Sequence, residues 1–217
     1  MAGVLREDHI AAQNRLRGGL DGVDEDMKCV PADMFVQSAG CLVVDLPHAL
    51  TLLIWHGKLG IWQIPKGRRN IGESMIDAAF RETYEETGYR VDRLKVNMRT
   101  RASIPKDERQ GKKVDVAEVI SDNEPVAACT YECPQSAERG VMKTVFFFPA
   151  SGDSTSERDL DTQEAHEHLT PQWFPFEEAI AKLTFQAEKE AARKIIELIQ
   201  NSGHVLGGAN GEKAEEH

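Results

Sequence analysis

The sequence of 217 residues has few of the features that mark membrane, secreted or nucleic-acid-binding proteins. No apolar run reaches the roughly 20 residues that a transmembrane helix needs. The N-terminal stretch is charged and has no apolar signal core, so we expect a cytosolic protein with the nucleus as a second location. The formal net charge of −10 argues against general affinity for nucleic acid.

Cysteine and aromatic residues are scarce as well. The four cysteines, of which none has the C-x2-C spacing of a structural zinc site, are Cys29, Cys41, Cys129 and Cys133. Cys41 lies in an apolar run and is expected to be a small buried hydrophobic residue. Aromatic residues make up 6% of the chain, and several lie in core-like runs such as residues 146–148. Few aromatic side chains are therefore left to stack against a ligand.

The composition favours one folded domain with extensions, because 41% of the residues are hydrophobic and can form a core. We expect a flexible extension over residues 1–33, a folded domain over 34–201 and a disordered Gly-rich tail over 202–217. Strands are predicted at residues 40–46, 51–55, 60–64, 91–96, 126–131 and 142–149, and helices at 176–183 and 186–200. Residues 103–125 and 132–140 are predicted to be loops or insertions.

Another helix is predicted just before the middle of the chain. Ser74 and Asp77 have the spacing of a capping box, so the helix should begin near Ser74, and Gly88 is well placed to end it. Between these ends, an apolar stripe recurs at helical spacing. Glu82, Glu85 and Glu86 fall beside that stripe within an arc of roughly 100°.

Three carboxylates this close repel one another, and a bound cation relieves that repulsion. Mg²⁺ and Mn²⁺ prefer such hard oxygen ligands. Arg81 shares a helical row with Glu85 and can stabilise the acids from the side. The alternative, a solvated acidic face, is usual for glutamate-rich helices. Here the loop before the helix is basic, and Gly67, Glu73 and Arg81 stand at set spacings from the three acids, which favours a catalytic role.

Basic residues precede the helix and recur later in the chain. Lys66, Arg68 and Arg69 lie in a predicted irregular loop whose position near a helix N-terminus favours phosphate. A backbone carbonyl of the same loop can bind the metal. Residues 99–113 form a second basic segment, which suits either a compact polyanion or a solvated loop. Its basic residues are Arg99, Arg101, Lys106, Arg109, Lys112 and Lys113.

The spacing of Gly67, Glu73, Arg81, Glu82, Glu85, Glu86 and Gly88 resembles the signature of the Nudix hydrolases, which cut diphosphate linkages with divalent metal. Two usually aliphatic positions are Thr83 and Tyr89, and both can pack against a core. The resemblance implies an α/β (α+β) fold, a Nudix-type αβα sandwich with a central mixed β-sheet.

The resemblance also implies functions for individual residues. Glu82, Glu85 and Glu86, with the Gly67 carbonyl, would bind Mg²⁺ or Mn²⁺. Glu73 and Arg81 would order the loop and the helix around the metal, so that the catalytic set is Glu82, Glu86, Glu73 and Arg81. The general base would be Glu82 or one of Asp161, Glu164 and Glu167.

Within this family, the C-terminal run from Gln172 and the order Trp62, Pro65, Gly67 resemble diphosphoinositol polyphosphate and diadenosine polyphosphate hydrolases. The implied partner is a small polyphosphorylated substrate, with no membrane. The expected substrate-binding residues are Lys66, Arg68, Arg69, Arg99 and Arg101. The alternatives are mRNA decapping, with capped RNA as the one nucleic-acid partner, a nucleotide-sugar pyrophosphatase, and a catalytically silent phosphate-ligand sensor.

Overall fold

The computed structural model describes residues 27–107, 115–134, 140–163 and 168–207. The chain divides into two compact units, residues 1–35 and residues 36–217. The described residues of the first unit are largely exposed and include a 3-10 turn, Ala32–Met34. This turn is closed by a hydrogen bond of 2.9 Å from the Met34 N–H to the Pro31 carbonyl. Residues 1–26 lie outside the described residues, and the flexible extension over 1–33 stays a prediction.

The described residues form ten strands and three α-helices. The strands are β1 (Phe35–Asp45), β2 (Leu50–His56), β3 (Ile61–Gln63), β4 (Lys66–Arg68), β5 (Asp92–Arg93), β6 (Val96–Thr100), β7 (Ala117–Ser121), β8 (Ala127–Glu132), β9 (Met142–Ser151) and β10 (Leu169–Pro175). The helices are α1 (Met75–Thr87), α2 (Phe176–Lys182) and α3 (Gln186–Asn201). Across these residues, no helix has both the length and the apolar character that crossing a bilayer requires.

The central sheet is mixed. Its strand order is β10-β2-β1-β9-β5, with β3 paired to β2, β4 to β1 and β8 to β9, while β6 and β7 form a separate two-stranded sheet. The β10–β2, β2–β1 and β8–β9 pairs are antiparallel. The Gly152 N–H donates to the Val44 carbonyl at 2.9 Å, so the C-terminal ends of β9 and β1 lie together and these strands run in the same direction.

Helices cover both faces of this sheet, because side chains on a strand alternate between faces. On β1, Ala39, Cys41 and Val43 pack in a cluster with Ala78 and Ala79 of α1. The alternate β1 residues join a larger cluster with α2 and α3, which includes Leu42, Val44, Val145, Phe147, Ile180, Ile195 and Ile199. The αβα sandwich with a central mixed sheet is therefore confirmed, as is the burial of Cys41.

Three local predictions were wrong. The predicted strand at residues 91–96 is two strands, β5 and β6, and β6 continues to Thr100. The predicted loop at residues 103–125 contains β7, in which only Ala117 and Val119 face the core and the exposed, apolar Ile120 obscures the alternation. Lys66–Arg68, predicted as irregular loop, forms β4 because it pairs with Ser38–Gly40 of β1.

The residues that follow α3 are hydrogen-bonded to other parts of the second unit. Ser202 Oγ accepts the Asn97 N–H at 2.7 Å, and His204 Nε2 lies 2.7 Å from the Lys95 carbonyl oxygen. The Gly207 N–H donates to the Leu46 carbonyl at 3.0 Å. Residues 208–217 lie outside the described residues, and disorder of the tail stays a prediction.

Strand β1 changes its partner along its length. It pairs with β4 over Ser38–Gly40 and with β2 at Val44 and Asp45. Between these pairings, the Cys41 N–H donates to Thr83 Oγ1 of α1 at 3.2 Å, and Thr51 Oγ1 donates to the Val43 carbonyl at 2.7 Å. Threonine hydroxyls therefore bind the strand backbone where its strand partner changes.

Gly88 ends α1 and should tolerate no side chain. Its φ is +76°, and a β-carbon there would collide with the carbonyl oxygen of Asp159. Gly203 has a similar φ of +79° but has open space around it, so it is a matched control. We expect Gly88→Ala to lower the free energy of unfolding by about 2 kcal/mol or more, and Gly203→Ala by about 1 kcal/mol. Equal losses in urea denaturation would contradict the close approach at Gly88.

Candidate active site

Helix α1 presents the acidic residues, and local signals fix both of its ends. Ser74 is the N-cap, and its Oγ accepts the Asp77 N–H at 3.2 Å. At the other end, the Gly88 N–H donates to the Tyr84 carbonyl at 2.7 Å. The helix therefore begins and ends where the sequence predicts. Thr83 and Tyr89, which stand at usually aliphatic positions of the signature, both pack inside the protein. Thr83 is fully buried, and Tyr89 packs edge-on against Trp173 with ring centroids 5.5 Å apart.

The guanidinium of Arg81 lies at the centre of the acids. It binds Glu73 in bidentate fashion, with Nε–Oε1 at 2.8 Å and Nη2–Oε2 at 2.9 Å. Its Nη1 donates to Glu82 Oε1 and Glu85 Oε2, each at 2.8 Å, and Nη2 also reaches the Arg68 carbonyl at 2.9 Å. One cation thus joins three carboxylates to the loop before the helix, and its hydrogen bonds lower the pKa of Glu73.

The Glu82 carboxylate lies against the backbone of Gly67. A β-carbon at Gly67 would collide with that carboxylate, so only glycine leaves room for it. The Glu82 side chain is 14% exposed, whereas that of Glu85 is 44% exposed. Glu82 and the Gly67 backbone, both predicted metal ligands, therefore lie side by side. Of the two helix acids that Arg81 binds, Glu85 is the more exposed.

Glu86 is the buried acid of the set. It is 6% exposed, and its Oε2 accepts the Lys66 N–H at 2.6 Å. A charge-assisted hydrogen bond of this kind stabilises a carboxylate that burial would otherwise destabilise. It also fixes the Lys66–Gly67 backbone against α1.

These acids fit a divalent cation in donor chemistry, since Glu82, Glu85 and Glu86 supply hard carboxylate oxygens beside the backbone of β4. Among the described residues, no group of three His, Cys, Asp or Glu side chains is arranged in ready ligand geometry. The physical reason is visible: Glu82 and Glu85 point to Arg81, and Glu86 points to the Lys66 N–H. A metal ion would compete with the Arg81 guanidinium and the Lys66 N–H for these carboxylate oxygens.

The side chain of Lys66, an expected substrate-binding residue, is mostly buried, and its role in binding stays a prediction. Its side chain is 8% exposed, with Nζ 2.6 Å from Gln63 Oε1 and 3.7 Å from Glu188 Oε1. Glu188 is buried at the start of α3, and its Oε2 accepts the Ile64 N–H at 3.2 Å. Burial raises the pKa of Glu188, and the Lys66 charge opposes that rise. Glu188 thus connects α3 to the strand end that precedes Gly67.

The two neighbouring arginines differ in their surroundings. Arg68 is exposed on β4. Arg69 is tied down: its Nε donates to Gln37 Oε1 at 3.2 Å and its Nη1 to the Glu73 carbonyl at 2.9 Å. Of the two, Arg68 is the more available to a ligand, and Arg69 orders the loop.

Two arginines of the later basic segment lie at the end of β6 and just after it. Arg99 is paired across the strands with Glu118, and Arg101 forms an exposed 2.6 Å ion pair with Asp115. Their participation in substrate binding stays a prediction. Asp161, a candidate general base, lies within the described residues and has a φ of +62°. Several residues of interest lie outside the described residues, namely Arg109, Lys112, Lys113, Glu164 and Glu167.

Sequence reasoning missed Glu188 and Lys143. The apolar stripe of α3 includes Ala191 and Ile195, and continuing it back by three residues reaches Glu188, which was the available signal. Lys143 lies near the start of β9, two residues before the buried Val145, and is half-buried. A charged residue at a core-facing position of a strand was the signal there.

One family model and several solved structures are similar to this chain. The sequence model of the NUDIX domain matches residues 34–198. A C. elegans Ap4A hydrolase binary complex is similar at 22% identity, covering 76% of this chain and 98% of that chain, with a TM-score of 0.52. A C. elegans Ap4A hydrolase is 21% identical, covering 76% and 99%, with a TM-score of 0.48. A Nudix hydrolase from Nitrosomonas europaea is 16% identical, covering 80% and 93%, also at 0.48.

The first of these structures shows the same fold, and at its level of identity it shows the fold alone. The family follows from the sequence model, which matches most of the chain and includes every residue from Gly67 to Gly88. Nudix hydrolases use divalent metal and act on small phosphorylated substrates. The chain belongs to the NUDIX domain family and is a Nudix pyrophosphohydrolase.

Proposed function

We propose that this enzyme cleaves diphosphate bonds with Mg²⁺ or Mn²⁺ bound by Glu82, Glu85, Glu86 and the Gly67 carbonyl. The observation that supports this most directly is that the Glu82 carboxylate lies against Gly67, while Arg81 binds both Glu82 and Glu85. Glu86 accepts the N–H of Lys66, the residue before Gly67. A bound divalent metal supplies an activated water and stabilises negative charge on the phosphoryl oxygens.

The chain's own groups have separate tasks in this proposal. Arg81 holds Glu73, Glu82 and Glu85 in one geometry, and the Lys66 N–H holds Glu86. Glu82, or an acid from Asp161, Glu164 and Glu167, accepts the proton of the attacking water. The exposed Arg68 attracts the phosphates of the substrate.

Glu86→Gln should reduce turnover by at least ~100-fold, comparable to the loss of one strong electrostatic stabiliser. The amide still accepts the Lys66 N–H but has no charge, so the loop is retained while metal binding is weakened. Turnover is measured with purified protein at saturating Mg²⁺, and circular dichroism verifies the fold. Glu197→Gln, on the exposed face of α3, is the matched control. Near-normal turnover of a folded Glu86→Gln protein would refute the assignment.

Arg81→Lys should reduce turnover ~10-fold or more, as changes in partners that orient metal ligands commonly do. Lysine retains the charge but cannot form the bidentate pair with Glu73 while also reaching Glu82 and Glu85. Turnover and Mn²⁺ affinity are measured together. If both are unchanged, Arg81 forms only a surface ion pair worth under about 1 kcal/mol.

We further propose a diphosphoinositol polyphosphate as the substrate, with diadenosine polyphosphates as the second candidate. The first compound has phosphates on most sides of a small ring and suits clustered cations, whereas the second needs aromatic surfaces for its bases. Here Phe147 and Phe148 are buried in the core, and Trp62 packs against Trp55 and Phe174. The Ap4A hydrolase likeness shows fold alone and does not select between them. mRNA decapping and nucleotide-sugar hydrolysis are the remaining enzymatic candidates. A catalytically silent phosphate sensor would not need Glu82, Glu85 and Glu86, so their presence argues against that class.

Arg68→Ala combined with Arg69→Ala should raise the KM for the inositol substrate by ~10-fold or more, because charge-assisted hydrogen bonds are lost. The KM for a diadenosine polyphosphate should rise less. Arg193→Ala removes an exposed arginine of α3 and is the charge-matched control. The single variants separate direct binding by Arg68 from loop ordering by Arg69. Equal effects of the double variant on both substrates, or no turnover of the inositol compound by the wild type, would refute the substrate proposal.

A further inference from the structure

The last turn of α1 is bonded to side chains that come 77 residues later in the chain. Thr162 Oγ1 donates to the Glu85 carbonyl at 2.9 Å, and Gln163 Nε2 donates to the Glu86 carbonyl at 3.0 Å. The last four carbonyls of a helix have no partner within the helix, so these side chains supply donors that the helix backbone lacks. Glu85 and Glu86 are also the residues whose carboxylates are proposed to bind the metal.

Gln163 connects this turn to the central sheet. Its Nε2 also donates to the Leu169 carbonyl at 2.8 Å, and its Oε1 accepts the Leu169 N–H at 3.0 Å. Leu169 is buried and begins β10, where it pairs with His56 of β2. Both N–H groups of the amide and its oxygen are therefore bonded to backbone, on a helix end and on a strand end at once.

The segment of residues 159–163 is bonded to α1 at its other end as well. The Asp159 N–H donates to the Gly88 carbonyl at 2.8 Å. Asp159 Oδ2 accepts the Tyr84 hydroxyl at 2.7 Å and Arg90 Nη2 at 2.8 Å. The segment is thus fixed to the C-terminal end of the helix on both sides of Asp161.

The two donors that reach the carbonyls of Glu85 and Glu86 are uncharged. Lysine and arginine are common partners of carbonyls at a helix C-terminus. Arg81 already binds the Glu85 carboxylate, and a further cation here would attract the same carboxylates that a metal ion needs. A hydroxyl and an amide fix the backbone without that competition, which suits a helix end whose acids bind metal.

We propose that Thr162 and Gln163 are positioning residues for diphosphate hydrolysis. They fix the turn that carries Glu85 and Glu86 relative to the candidate general bases, since Asp161 directly precedes Thr162 and the other candidates in this region follow Gln163 in the sequence. Their distance from one another matters, because a misplacement of about 1 Å can cost roughly 100-fold in rate. The inference rests on the proposed function for the acids, but it holds for any of these bases and for either substrate.

The test begins with Gln163→Met, which retains the length of the side chain and removes its hydrogen bonds. At saturating Mn²⁺ it should lower kcat by ~10-fold or more. The KM should stay nearly unchanged, because the lost contacts orient groups that act in the transition state. Mn²⁺ affinity, measured by electron paramagnetic resonance, should fall ~10-fold, as it does when partners that orient metal ligands are removed. Turnover is measured with a diphosphoinositol polyphosphate and with diadenosine tetraphosphate.

Thr162 provides a second, independent pair of variants. Thr162→Val removes the hydroxyl at constant shape and should lower kcat and Mn²⁺ affinity in the same direction as Gln163→Met. Thr162→Ser retains the donor to the Glu85 carbonyl and should have wild-type kcat. A role in stability alone would lower the melting temperature of the valine variant without changing kcat per folded molecule.

Ser202→Ala is the matched control at the end of another helix. Ser202 Oγ accepts the Asn97 N–H at 2.7 Å and donates to the Leu198 carbonyl at 2.6 Å, so it also joins a helix end to a strand. Its loss should lower the melting temperature and leave kcat and Mn²⁺ affinity unchanged.

Wild-type kcat and Mn²⁺ affinity in folded Gln163→Met and Thr162→Val would overturn the inference, as would an equal loss in Ser202→Ala. The proposed function is tested separately by Glu86→Gln in the same Mn²⁺ titration. If Glu86→Gln binds Mn²⁺ as tightly as the wild type, the metal assignment fails, and the kcat of Gln163→Met still decides the positioning role.

Discussion

The site depends above all on one cation placed among three anions. Glu73, Glu82 and Glu85 would repel one another without Arg81, whose planar guanidinium reaches all three and the Arg68 carbonyl. Glu73 precedes α1, Arg68 ends β4, and the other acids lie on the helix. The loop and the helix are therefore oriented by the same side chain, and the acids cannot be rearranged without altering the loop.

A second set of bonds fixes the site from the opposite side of the sheet. Glu188 of α3 accepts the Ile64 N–H and lies near the Lys66 ammonium, while the Lys66 N–H donates to Glu86 of α1. The short segment from Ile64 to Gly67 is thus bonded to helices on both faces of the sandwich. Such a segment can present a carbonyl at a defined position, which a free loop cannot.

The outline of this structure could be predicted because its signals are local. Ser74 and Gly88 mark the ends of α1 by capping chemistry, and helical periodicity alone places Glu82, Glu85 and Glu86 together. The positions of Lys66 and Lys143 could not be predicted from the sequence, since they depend on tertiary contacts. Ile64 and Glu188 are 124 residues apart in the chain, and no pattern within α3 specifies which strand end it meets. Strand β4 was missed for the same reason, because its strand character comes from pairing with β1.

The change of partner along β1 explains an unusual residue. Where β4 ends and β2 begins, the backbone would have an unsatisfied donor at Cys41, and the hydroxyl of Thr83 accepts it from the helix above. The signature usually has an aliphatic residue at this position, and valine, with the same shape, would leave that N–H buried without an acceptor. In this chain the sheet and the helix are therefore joined by a polar bond inside an apolar layer. The substitution that looks most conservative at this position by family consensus would be the one that separates them.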